Sequence, residues 1–166
     1  MFTATYFIEK LGLEAHPEGG YYKEVYRSPM KTGERSLSTT IYFLLEGEQL
    51  SRFHQLTADE IWFFHYGSAI LIHSINEAGA LSTQKLGMNL EAGEQPSLLI
   101  PAKTIFGSEM LDKNSFALMS CMVSPGFEFA DFKLFSKKEL RELFPDHLII
   151  IERLGVDWLD TQLYFH

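Results

Sequence analysis

In the stretch SRFHQLTADEIWFFHYGS, residues 51–68, His54 precedes Glu60 by six positions and an aromatic run follows. An imidazole with an ordinary pKa of about 6.5 beside a carboxylate can exchange protons at neutral pH. With one or two further donors the same groups could hold a transition metal, which needs three or four ligands. Strand alternation sets Glu60, Trp62, Phe64 and Tyr66 on one face and Ile61, Phe63 and His65 on the other. A carboxylate among three aromatics must reach water, pair with a cation or carry a raised pKa, because unpaired burial costs several kcal/mol. The first two outcomes describe a pocket mouth and the third a general acid. Trp62, Phe64 and Tyr66 would then form a wall suited to a sugar ring, a nucleobase or an apolar small molecule. Core packing accounts for such a stripe equally well.

Other candidates carry less. His65 falls on the face opposite Glu60, and His73 ends an apolar run, AILIHSI. In HPEGGYY, residues 16–22, His16 and Glu18 stand beside two glycines that allow close backbone approach to a ligand or simply a tight turn. Cys121, between apolar neighbours, reads as a small buried hydrophobe.

The elements that must position these groups are short strands. ATYFIEKL, residues 4–11, has helical spacing, with Thr3 as cap and Gly12 as stop. HPEGGYYKEVYRSP is a turn feeding a strand over Tyr22 to Tyr26. Between Ser38 and Ser124 eight strand-like runs follow: STTIYFLLE, SRFHQL, EIWFFHY, AILIHSI, LSTQKLGM, SLLIP, TIFGSEM and FALMSCMV. Turn residues separate most of them, which predicts an antiparallel sandwich or barrel. Ser136 and Glu139 form a capping-box signature for a helix to about Leu143. Asp146 after Pro145 can cap a second helix, HLIIIERL. Trp158, Leu159, Leu163 and Phe165 make the last stretch too apolar for a free tail, and predict packing on the barrel or on a second subunit.

Composition narrows the function. A chain of 166 residues with 46% hydrophobic residues can bury one sizeable core, so a single domain over 1–166 is expected. Its net charge of −8 and scattered cations argue against a nucleic-acid surface. Cys121 is the one cysteine, which excludes an intrachain disulfide and a CxxC knuckle. With no signal-like start and no long apolar run, a cytoplasmic protein without a membrane span is expected.

The His54–Glu60 stretch resembles the first motif of the cupin superfamily, an H-x-H pair followed by a Glu and then a Gly. His54 matches the first His, Glu60 the Glu and Gly67 the Gly, while Leu56 stands where the second His belongs. In the second motif Gly93 and Pro101 fill the start, but Lys103 replaces a Gly and Phe106 the last His. The blocks HPEGGYYKEVYRS, STTIYFLLEGE, FHQLTADEIWFFHYGS, IPAKTIFGSEM and SCMVSPGFEFADFKLFS occur in the order found in a small family of uncharacterised cupins. This resemblance covers about residues 5–153, with departures at Phe63, Lys103 and Ile105. It implies an all-β fold, a double-stranded β-helix jelly roll over about residues 13–135, with short N- and C-terminal helices and an extension over about 136–166. It also implies a pocket open at one end, and a homodimer.

In that frame His54, Glu60 and Tyr66 are the catalytic candidates, with His54 as base. Glu18, Tyr21, Trp62, Phe64, Lys103 and Phe106 are the ligand-binding candidates. With two of four cupin metal ligands replaced, no metal and no other cofactor is expected. The architecture is similar to that of the dTDP-sugar 3,5-epimerases, which points to metal-independent isomerase-type acid–base chemistry on a sugar-like ligand. In such an enzyme Arg27, Arg35, Arg52 and Lys103 would have to bind the diphosphate. The alternatives are a non-catalytic binding module and a metal-dependent cupin enzyme using His54 and Glu60.

Overall fold

A computed structural model of the protein describes residues 1–157. Its strands are β1 (Glu14–Ala15), β2 (Tyr21–Arg27), β3 (Lys31–Thr32), β4 (Arg35–Ser36), β5 (Thr39–Glu46), β6 (Leu50–Gln55) and β7 (Asp59–Gly67). They continue as β8 (Ile70–Ile75), β9 (Leu81–Leu86), β10 (Glu94–Gln95), β11 (Ser97–Ile100), β12 (Ile105–Met110), β13 (Phe116–Ser124) and β14 (Lys133–Leu134). The helices are α1 (Ala4–Leu11), α2 (Lys137–Leu143) and α3 (Leu148–Leu154). All eight runs between Ser38 and Ser124 are strands, within a few residues of their expected ends.

Two six-stranded sheets face each other, in the orders β1-β2-β5-β13-β7-β11 and β10-β9-β8-β12-β6-β14. Consecutive strands alternate between sheets: β5 lies in the first, β6 in the second, β7 in the first and β8 in the second. That winding is the jelly roll, and it sends inward-facing side chains of β6 and β7 toward each other across the interior rather than side by side. Phe43, Trp62, Ile72, Phe106, Met110 and Met119 fill most of that interior. Each such side chain contributes about 1.5–3 kcal/mol on leaving water.

The helices cover outer faces. α1 begins where the Thr3 hydroxyl accepts from Tyr6 N–H and stops at Gly12, whose φ of 66° turns the chain left-handed. It lays Phe7, Ile8 and Leu11 over Leu44 and Leu118 of the first sheet. α2 and α3 place Leu140, Ile150, Ile151 and Leu154 over Phe53 and Ile75 of the second. Ser136 caps α2 as its sequence predicts, accepting from Glu139 N–H. Asp146 does not cap α3: a 3₁₀ turn over Pro145–His147 intervenes, and His147 occupies the cap position without a side-chain hydrogen bond. Trp158, Leu159, Leu163 and Phe165 lie outside the described residues.

One irregularity redirects a side chain. β13 pairs Met119 with Phe64 and Leu118 with Tyr66, so His65 is an extra residue in β7. This bulge breaks the two-residue alternation. Phe64 packs inward, whereas Tyr66 joins Phe7, Leu118 and Phe116 under α1 on the outer face.

Candidate active site

The side chains that could do chemistry converge from three places. β7 of the first sheet presents Glu60 inward, and β6 of the opposite sheet presents His54. The turn before β2 supplies Glu18. His54 and Glu60 line a common cavity of about 400 Å³, together with His16, Glu18, Leu56 and Cys121. The exposed side chains of Glu14, Lys23, Glu24, Arg27, Glu128 and Phe129 form the cavity's outer end.

The HPEGGYY turn exists to insert Glu18. A Cβ on Gly19 would sit 1.7 Å from the Leu50 carbonyl oxygen, and one on Gly20 2.7 Å from that of Leu44. Their φ values of 113° and 76° also favour glycine. The backbone these glycines approach is therefore the barrel's own, not a ligand's. Arg52 N–H donates to the Glu18 carbonyl at 2.9 Å, fixing the turn on β6 with the Glu18 side chain pointing inward and buried.

Glu18 Oε2 lies 2.9 Å from His54 Nδ1, and the Arg52 carbonyl lies 2.7 Å from the same nitrogen. The carboxylate makes a close ionic contact but is out of line for a hydrogen bond, the aligned acceptor being the Arg52 carbonyl. With acceptors on both sides, Nδ1 must carry a proton. Nε2 is the nitrogen left for chemistry: no described residue hydrogen-bonds to it. Phe106 packs on the ring at a centroid distance of 4.2 Å and Phe132 at 5.3 Å.

Electrostatics separate the roles. Burial pulls His54 down, but the Glu18 carboxylate, Glu60 and the Arg52 carbonyl together raise it above the ordinary imidazole value. Burial pushes Glu18 up, and His54 and His16 outweigh it, so Glu18 stays a carboxylate. Burial raises Glu60 to about 7; attraction to His54 opposes this, and repulsion from Glu18 adds to it. Burial likewise lowers His16, and raises the Cys121 thiol well above its usual range, which keeps it from acting as a thiolate. The cavity floor thus holds a carboxylate–imidazolium pair and a second carboxyl poised to titrate near neutrality.

Of the residues singled out from sequence, His54, Glu60 and Glu18 meet here. Tyr66 does not, because the bulge turns it out. Tyr21 also packs on the outer face, and its neighbour Tyr22 lines the cavity instead. Trp62 and Phe106 are core side chains, each 1% exposed. Phe64 packs against the same core. Lys103, in a left-handed turn with φ 66°, contributes backbone hydrogen bonds to Leu56 and Gln55 and does not line the cavity. Sequence reasoning missed Tyr22, Phe127 and Phe132 as lining residues, and Cys121 beyond its burial; Arg27, named from sequence as a diphosphate ligand, does line the cavity. The block VSPGFEFADF held the signal, since three phenylalanines in a Pro/Gly segment need a surface to cover.

The donor set does not fit a cupin metal. Among the described residues no three His, Cys, Asp or Glu side chains are placed to hold an ion together. Leu56 and Phe106 occupy two of the expected ligand positions, and His54 Nδ1 is committed to Arg52 and Glu18. Dialysed protein is expected to hold well under one equivalent of transition metal, with a melting point unmoved by EDTA. Stoichiometric zinc, manganese or iron in elemental analysis would contradict this.

Comparison with known proteins agrees with the fold. Residues 5–135 match the family described as Cupin superfamily (DUF985). Protein SO0799 of Shewanella oneidensis has a crystal structure with TM-score 0.91 and 46% identity, over 95% of this chain and 99% of that one. A hypothetical protein from Leishmania major follows at TM-score 0.88 and 36% identity, over 94% and 100%. The uncharacterized protein YML079W of Saccharomyces cerevisiae is 28% identical over 77% of this chain and 73% of its own. An oxalate decarboxylase of Bacillus subtilis shares the fold alone, at TM-score 0.57 and 15% identity, with this chain covering 37% of its length. A two-sheet jelly roll with His54 and Glu60 facing across its interior, and a family match over most of its length, make this chain a member of the Cupin superfamily (DUF985).

Proposed function

We propose that this cupin binds a small sugar-like molecule in the barrel and moves a proton on it by metal-independent acid–base chemistry of the isomerase or epimerase type. The observation that carries the reading is the buried group of Glu18, His54 and Glu60 at the end of a cavity of about 400 Å³. The electrostatics favour a division of labour opposite to the one the sequence suggests. His54, held charged by Glu18, suits the acid that protonates a carbonyl oxygen from Nε2. Glu60, ionised in about half the molecules near its pKa of about 7, suits the base that takes a proton from the neighbouring carbon. Because the two interact, their titrations belong to the pair. Tyr22, Ile41, Val123 and Phe132 supply apolar wall for the ring of a ligand.

The test is deuterium wash-in. Aldoses, ketoses and sugar lactones incubated with the protein in D₂O are expected to exchange a C–H next to the carbonyl. His54→Gln and Glu60→Gln are each expected to slow that exchange about 10²–10⁴-fold. Compounds that bind without exchanging would leave a non-catalytic binding module.

A homodimer is part of the same proposal. Tyr26, Phe63 and Leu99 are 51%, 38% and 53% exposed, and strand pairing places them on the outer face of the first sheet. An apolar face of this kind suits a two-fold contact. Light scattering is expected to give twice the 19.0 kDa chain mass, and a monomer at micromolar concentration would contradict it.

A further inference from the structure

We infer that the cavity takes an uncharged, unphosphorylated molecule and rejects phosphorylated sugars and nucleotides; this rests on reading the cavity as a ligand site. A diphosphate would need free guanidinium or ammonium groups at the mouth, ideally an arginine fork gripping two oxygens. Among the described residues Lys23 and Arg27 are the lysine and the arginine that line the cavity. Arg27 is already spent: Nη2 meets Glu24 at 2.8 Å and donates to the Phe127 carbonyl at 3.1 Å, and Nη1 meets Glu128 at 3.2 Å. The other three cations that a diphosphate would call on are elsewhere. Arg35 is held by Asp131 at 3.0 Å and donates to the Gly126 carbonyl at 2.6 Å. Arg52 donates to the Arg153 carbonyl at 3.1 Å, and Lys103 does not line the cavity.

The remaining charges are unfavourable to an anion. Glu14, Glu24 and Glu128 stand at the mouth, and Glu18 and the half-ionised Glu60 at the floor, so five glutamates face Lys23, Arg27 and the His54 imidazolium. The chain's net charge of −8 adds repulsion at long range. The Arg27–Glu128 pair additionally ties β2 to the segment carrying Phe127 and Phe129, so a phosphate competing for Arg27 would have to undo that tie. What remains attractive is apolar wall and a hydrogen-bonding floor, the complement of a neutral ring with polar atoms at one end.

Matched probes test this by ligand-observed NMR titration at low salt: fructose against fructose 6-phosphate, and thymidine against thymidine diphosphate. The uncharged member of a pair is expected to bind at least about tenfold more tightly, and added salt should narrow the gap. Glu24→Gln combined with Glu128→Gln frees Arg27, and should raise the affinity of each phosphorylated probe relative to its uncharged partner about tenfold. A phosphorylated member that binds as well as its partner to the unaltered protein would overturn the inference. So would failure of both uncharged probes to bind at millimolar concentration. If uncharged probes bind and no sugar exchanges deuterium, the ligand class stands and the catalytic reading falls.

Discussion

Glu60→Gln is expected to stabilise the protein by about 3 kcal/mol at pH 8 and to change its stability little at pH 4.5. The pKa of Glu60 rises from 4.5 to about 7 on folding, and each unit is worth 1.36 kcal/mol. The sign follows from which state holds the proton. Below pH 4.5 the carboxyl is protonated in both states and contributes nothing unfavourable. Between pH 4.5 and 7 the unfolded chain ionises while the folded one resists, so stability drains away as pH rises. Above pH 7 the folded protein carries the whole cost of a desolvated carboxylate. Glutamine is nearly isosteric and never ionises, so the gap between variant and parent should open across that window and then level off. Urea denaturation at several pH values measures it. A constant gap, or a variant less stable at pH 8, would mean that Glu60 is solvated or paired differently. A residue whose removal stabilises the fold while abolishing exchange is retained for function rather than stability.

The barrel was legible because its strand-like runs are separated by turn residues, and because α1 carries both of its end signals in the chain. The site was legible only in part. His54 and Glu60 could be paired from their spacing, but spacing cannot show that β6 and β7 lie in opposite sheets. Tyr66 was misplaced because strict alternation fails at the His65 bulge, and bulge positions carry no fixed residue signature outside glycine. Glu18 was visible as a carboxylate in a glycine turn. Its role as partner of His54 depends on a turn packing against Leu50 and Leu44, a long-range contact. Trp62 and Phe106 illustrate the ambiguity of aromatic stripes: both face inward, yet close packing puts them in the core rather than on the cavity wall.

Glu18→Gln is expected to destabilise the protein by about 3–5 kcal/mol near pH 6, since it removes one partner of a buried ion pair and strands the other. The loss should depend on pH in a defined way. In the parent, His54 has a raised pKa, so its contribution is complete below 6.5 and is lost as pH climbs through the higher folded value. Glu18 has a lowered pKa, so its contribution is complete above 4.5 and is lost as pH falls through the folded value. Both are at full strength only between roughly pH 5 and 6.5. In the variant, burial governs His54 unopposed by Glu18, and the ring must shed its proton to stay folded, which costs most at acid pH. The difference between parent and variant should therefore be largest toward the acid end of that window, near about pH 5, and shrink toward pH 9 as His54 becomes neutral in both. At pH 6 the melting point should fall by about 2–4 °C for each kcal/mol. Combining Glu18→Gln with His54→Gln should recover part of the loss, because no charge is then left stranded. A loss that is flat with pH, or no recovery in the double variant, would show that Glu18 serves the turn rather than the imidazolium.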